Sequence, residues 1–216
     1  MKKWAILLGC ALTLVVGCIP ARATNPDPTP TPALVPGVPV AVFIGDSYTQ
    51  GAGGSGIRWT TLVAKSNGWQ EVNLGLGGTG YHATATSGCG LPFCPAYAGV
   101  IADAVKVSPD AVFVAGGRND GKVYPAEIRA LFAELRDKLP NAKIYAVSPL
   151  WDDGKPPKWL AKQAAVVKAA VRSVGGRYLS IGQPLRKHPA LISADGVHPN
   201  AAGYGAIATA IALKLG

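Results

Sequence analysis

The chain has 216 residues, 49% of them hydrophobic and 15% charged, and a formal net charge of +9. That length holds one ordinary domain with a sizeable core and little else. The basic residues are spread along the chain with no aromatic-interleaved cluster, which argues against nucleic-acid binding and for a solvated basic surface, at most one favouring anionic envelope polymers.

Met1-Lys2-Lys3 supplies a short basic head, and residues 4–16 are almost wholly apolar. This run is shorter than the roughly 20 residues needed to span a bilayer, so residues 1–23 read as an export signal. Two processing sites compete. Ala21-Arg22-Ala23 has small residues where a signal peptidase cuts, whereas Val15-Val16-Gly17-Cys18 resembles a lipobox, in which Cys18 would be lipidated and attach the protein to the cell envelope. Either one places the domain outside the cytoplasm, secreted or anchored. Lys2, Lys3 and Arg22 fall within the leader, so the charge of the remainder is below +9. Residues 24–37 form a tether in which Pro26, Pro28, Pro30 and Pro32 alternate with polar residues. Such a segment favours extended polyproline conformation and buries no core.

From residue 38 to 216 the pattern becomes that of a folded domain. Five short β-rich runs stand at 38–44, 71–74, 111–115, 143–147 and 178–181, with helical stretches at 125–139, 156–174 and 200–215. Strands alternating with helices predict an α/β domain, a parallel sheet covered on both faces in a three-layer α/β/α sandwich. Cys89 and Cys94 are the cysteines left outside the leader, in a Gly- and Pro-containing loop; in an oxidising compartment they are expected to form a small disulfide. No metal site is expected, because there is no second cysteine pair and the three histidines are scattered.

In open parallel sheets, ligands bind beyond the carboxyl ends of the strands. Four segments would meet there. Gly45-Asp46-Ser47-Tyr48 follows the first apolar strand and puts a serine at a strand-to-loop junction, where it is either a helix cap or a nucleophile that needs a base. Asp195-Gly196-Val197-His198 has a spacing that lets the carboxylate reach His198 Nδ1 and leave Nε2 free to accept a proton; otherwise it is a surface turn before the last helix. An oxyanion would need donors from Asn73-Leu74-Gly75-Leu76-Gly77-Gly78-Thr79-Gly80 and from Gly116-Gly117-Arg118-Asn119-Asp120-Gly121. Phosphate cradling is the rival use of the first loop, but no Gly-Lys-Ser/Thr follows it.

Together and in this order the four segments resemble the blocks of the SGNH hydrolases, the subclass of GDSL-type esterases and lipases named for Ser, Gly, Asn and His. Gly45-Asp46-Ser47 is similar to the first block, although Tyr48 stands where the GDSL name has Leu. Gly78 aligns with the second-block glycine, with Gly77 a close competitor. Gly117-Arg118-Asn119-Asp120 matches Gly-x-Asn-Asp, and Asp195 to His198 matches Asp-x-x-His. The resemblance covers nearly all of residues 38–215.

The resemblance implies a flavodoxin-like sandwich on a five-stranded parallel sheet, and an acyl-enzyme mechanism without metal or organic cofactor. Ser47 would be the nucleophile, His198 the base and Asp195 its orienting partner. The backbone N–H groups of Ser47 and Gly78 and the Asn119 side chain would form the oxyanion hole. The expected substrate is a short-acyl ester, such as an acetyl ester, of a small molecule or polysaccharide, handled by a monomer. Lysophospholipase or thioesterase action is the alternative, and a non-catalytic surface binding module is a third reading. Trp59, Trp151 and Tyr81 fall in or near rim loops and are candidates for substrate contact, though Trp59 also suits packing at a helix start. His82 reads as polar surface, and the Cys89–Cys94 loop as one wall of the pocket. Asp152 and Asp153 are too close in sequence to flank a glycosidic bond at the required separation of roughly 5 Å or more, and read as a solvated turn.

Overall fold

The computed structural model describes residues 33–216. The expected leader, Cys18 and most of the tether lie outside them. Five strands, β1 (Val40–Gly45), β2 (Gln70–Gly75), β3 (Ala111–Ala115), β4 (Lys143–Val147) and β5 (Arg177–Leu179), form one sheet in the order β2-β1-β3-β4-β5. All of its pairings are parallel. Among the described residues six α-helices accompany them: α1 (Ser47–Gln50), α2 (Trp59–Ser66), α3 (Ile101–Lys106), α4 (Pro125–Lys138), α5 (Lys158–Ser173) and α6 (Ala201–Leu215).

The alternation of side chains along each strand builds two cores. Val42, Ile44, Val112, Val114 and Ile144 meet α3, α4 and α5 on one face, where α4 contributes Ile128, Leu131, Phe132 and Leu135 at helical spacing. Ala41, Phe43, Phe113 and Tyr145 meet α2 and α6 on the other. Phe113 stacks between Phe43 at 5.0 Å and Tyr145 at 4.6 Å, and burying a side chain of that size contributes about 1.5–3 kcal/mol. The result is the three-layer α/β/α sandwich that the alternating pattern predicts.

Two strand ends differ from expectation by two residues, each for a local reason; the other differences are of one residue. The first strand begins at Val40 rather than at 38, because Gln70 Nε2 donates to the Val38 carbonyl and Pro39 has no N–H to give. The last ends at Leu179, because the Ile181 N–H turns to Ser148 Oγ at 3.0 Å instead of a neighbouring strand. The order of the strands matters most for function. From β1 the chain goes outward to β2 and then returns to β3 on the other side, so the order in which strands are added reverses between β1 and β3. A crevice opens at such a switch point, and the segments after β1 and β3 line it.

Candidate active site

Gly45 ends β1 where it runs against its neighbours: a Cβ there would collide with the Thr49 side chain and the Ala115 carbonyl. The chain then turns at once into α1. Asp46 caps that turn by accepting the Tyr48 N–H on Oδ1 at 3.0 Å, which leaves Ser47 as the first helical residue, at the switch point. Far along the sequence, Asp195 organises a second turn. Its Oδ1 accepts from Ser193 Oγ at 2.8 Å and from the Val197 and His198 N–H groups at 2.9 Å each. Its Oδ2 lies 2.7 Å from His198 Nδ1, and His198 Nε2 lies 2.9 Å from Ser47 Oγ. The Asp–His–Ser chain is therefore continuous. Burial works to raise the Asp195 pKa, but the hydrogen bonds from His198, Val197 and Ser193 outweigh it and hold the carboxyl well below the usual range. An ionised Asp195 keeps the Nδ1 proton on its own side, and Nε2 is free to take one from the serine.

The glycine-rich loop and the loop that carries Asn119 are tied to this centre and to each other. Asn73 at the root of the glycine-rich loop donates to the Thr49 carbonyl at 2.7 Å and accepts the Gly75 N–H at 2.9 Å. Gly78 is the exposed member of the Gly77-Gly78 pair, at φ 78°. Asn119 Nδ2 donates to the Thr79 carbonyl at 2.9 Å, which uses one of its two N–H groups and fixes the direction of the other. Next to it, Asp120 accepts three backbone N–H groups of the residues just after the glycine-rich segment: His82 and Ala83 on Oδ1 at 3.0 Å each, Tyr81 on Oδ2 at 3.1 Å. Below them Tyr97 links the first and third segments. Its hydroxyl donates to Asp46 Oδ2 at 3.3 Å and accepts the Gly117 N–H at 2.9 Å.

Residues 43–206 match the GDSL-like lipase/acylhydrolase family model, and all four segments fall within the match. The chain belongs to this family. A GDSL lipase from Mycobacterium tuberculosis is 32% identical over 193 residues, covering 81% of this chain and 80% of that one. Among solved structures the hydrolase is similar to a catalytic mutant of an acetylxylan esterase from Geobacillus stearothermophilus, with a TM-score of 0.60 and 19% identity over 83% of this chain and 94% of that one. It is also similar to a carbohydrate acetylesterase from Sinorhizobium meliloti, with a TM-score of 0.58 and 20% identity over 82% and 98%. At such identities these two likenesses speak for the shared fold. The family makes this chain a carboxylic ester hydrolase.

The remaining residues singled out in the sequence divide clearly. Trp151 is half-buried at the rim, with the Arg118 guanidinium 4.4 Å over its ring and Trp159 edge-on at 6.3 Å. Trp59 and Tyr81 do not reach the rim of the hydrolase. Trp59 is 0% exposed and packs edge-on against Phe43, because it starts α2 on the side facing the sheet. Tyr81 is also buried, against the Tyr97 ring at 5.1 Å. Neither has a face to offer a substrate. His82 is at the surface, stacked on Tyr124 at 3.9 Å. Cys89 and Cys94 form the disulfide, and Ala85 pairs with Cys94 across the loop. Asp152 is not a solvated acid: it is mostly buried and pairs with Arg118 at 3.0 Å. Sequence reasoning missed the parts played by Tyr48, Tyr97, Arg118, Asp120 and Asp152. For Tyr48 a signal existed, since it departs from the family's Leu.

Proposed function

We propose that the hydrolase is an exported serine esterase that removes short acyl groups through an acyl-enzyme. The observation that carries this reading is the unbroken Asp195–His198–Ser47 chain at 2.7 and 2.9 Å. Ser47 Oγ attacks the ester carbonyl carbon while its proton passes to His198 Nε2. The oxyanion that forms is held by the Ser47 and Gly78 N–H groups and the second N–H of Asn119. Collapse expels the alcohol, which takes the proton from His198. Water, deprotonated by His198, then attacks the acyl-Ser47 ester, and the acid leaves with Ser47 reprotonated. The buried disulfide fits an oxidising compartment outside the cytoplasm.

Short acyl groups on a saccharide are favoured by the names of the two esterases of similar fold. The half-buried Trp151 at the rim suits a sugar face, whose C–H groups pack on aromatic rings. A lipase reading, with longer acyl chains, is favoured instead by the name of the mycobacterial relative. The purified protein is expected to hydrolyse p-nitrophenyl acetate and to be labelled by a fluorophosphonate probe. Ser47→Ala is expected to lower turnover by ~10⁴-fold or more without loss of fold. An inert, unlabelled wild-type protein would sink the proposal. A series of acyl lengths on the same enzyme separates the two substrate readings.

A further inference from the structure

We propose that the phenolic oxygen of Tyr48 is the hub of a strut that holds the nucleophile, oxyanion and base loops in register. The proposal rests on the catalytic reading of Ser47, Asn119 and His198. Three residues are joined in series, and each is the chain neighbour of one of those groups. Tyr48 follows Ser47, Arg118 precedes Asn119, and Val197 precedes His198. Arg118 Nη1 donates to Tyr48 Oη at 2.6 Å, and the Tyr48 hydroxyl donates its own proton to the Val197 carbonyl. A second guanidinium nitrogen, Nη2, donates to Asp152 Oδ2 at 3.0 Å, which adds the rim loop after β4 to the series.

The strut sits where such bonds count. Tyr48 is 3% exposed, and the side chains of Arg118 and Asp152 are 11% and 17% exposed. Water therefore competes weakly for these donors and acceptors. The guanidinium also lies close to two rings, with its Cζ 5.1 Å from the Tyr48 centroid and 4.4 Å from that of Trp151. Val197 itself is 38% exposed, so its side chain does little to seat the turn, and the bond from Tyr48 to its carbonyl takes that part. The Tyr48 ring lies 5.9 Å from the His198 ring. Burial pushes the phenol well above its ordinary pKa, so it stays protonated and keeps donating across the working range. A leucine here could neither accept from Arg118 nor donate to Val197.

Tyr48→Phe keeps the ring and removes only the oxygen. Its kcat on p-nitrophenyl acetate is expected to fall roughly 10- to 100-fold with KM within about twofold, as for a buried hydrogen-bonding group that positions rather than binds. The Val197 and His198 amides are expected to exchange hydrogen with solvent ~10-fold faster or more, while those of β1 keep their rates. Arg118→Lys keeps the charge but cannot fork to Tyr48 and Asp152 together, and should act in the same direction. The double variant is expected to be no worse than Tyr48→Phe alone, because both break one series. Wild-type kcat in Tyr48→Phe, unchanged amide exchange, or additive losses would each overturn the strut. Should Tyr48→Phe not fold, Arg118→Lys carries the same two readouts. If the wild-type protein cleaves no ester, the catalytic reading falls by itself, and amide exchange still decides on the strut.

Discussion

At the scale of single residues, two carboxylates at one rim are driven in opposite directions. Asp195 is held ionised by the donors around it, so its contribution to stability is present above the unfolded value of about 3.9 and is lost only as pH falls through a still lower folded value. Asp46 is 1% exposed, and burial raises its carboxyl despite the Tyr48 N–H, Arg118 and Tyr97 that favour the charge. For a raised acid the sign reverses. Its contribution is most favourable below the unfolded value and declines as pH rises through the folded one. Asp46→Asn keeps an oxygen to accept from Tyr48 and has no proton to lose. The urea midpoint of Asp46→Asn is therefore expected to gain on that of the wild type as pH rises above about 4. A gap that does not change with pH would mean that Asp46 ionises as readily in the fold as in the unfolded chain.

At the scale of elements, the segments at the carboxyl ends of the strands meet at one rim, with Ser47 opening α1, and one side chain ties down the stretch that follows the glycine-rich loop. Asp120 gathers three consecutive N–H groups from residues 37 to 39 positions earlier in the chain. Asp120→Ala leaves those donors without their acceptor and is expected to cost about 3 kcal/mol. Asp120→Asn can keep the two bonds on Oδ1 and gives up the one on Oδ2, at about 1–2 kcal/mol. Chemical denaturation of the two variants checks the order, and equal losses would mean that the loop is held by packing instead. The Asp was legible as part of Gly-x-Asn-Asp, but its job was not. A three-donor nest depends on where the chain returns, and no local pattern encodes that. The same holds for Asp152, which reads as a polar turn until Arg118 is brought beside it.

At the scale of the molecule, the sheet order places the crevice at the switch point, and a disulfide ties the loop that follows the glycine-rich segment. Cys89 and Cys94 are both fully buried and close a short loop beside the glycine-rich segment, with Leu91 and Phe93 left exposed on it. Constraining so short a loop in the unfolded chain is worth about 2 kcal/mol. Replacing both cysteines by alanine, or reducing the bond, is expected to lower stability by that amount in a urea titration. No change on reduction would mean that the Ala85–Cys94 backbone pairing and the surrounding core already hold the loop.

Periodicity and short motifs alone placed β3 and β4 to the residue, the helices α4, α5 and α6 to within two, and the family through four short segments in order. These are local properties. A period of two or 3.6 and a serine after an apolar strand can be read wherever they occur. Which aromatic faces the core and which the rim was decided only by tertiary structure. Trp59 and Trp151 both sit beside loops, yet one packs on Phe43 and the other under Arg118. Tertiary structure also turned Tyr48 from an odd letter in a motif into a bonded neighbour of Arg118 and Val197, 70 and 149 residues away. Contacts over such separations follow from strand order and the return of the chain to the switch point, which no window of sequence contains.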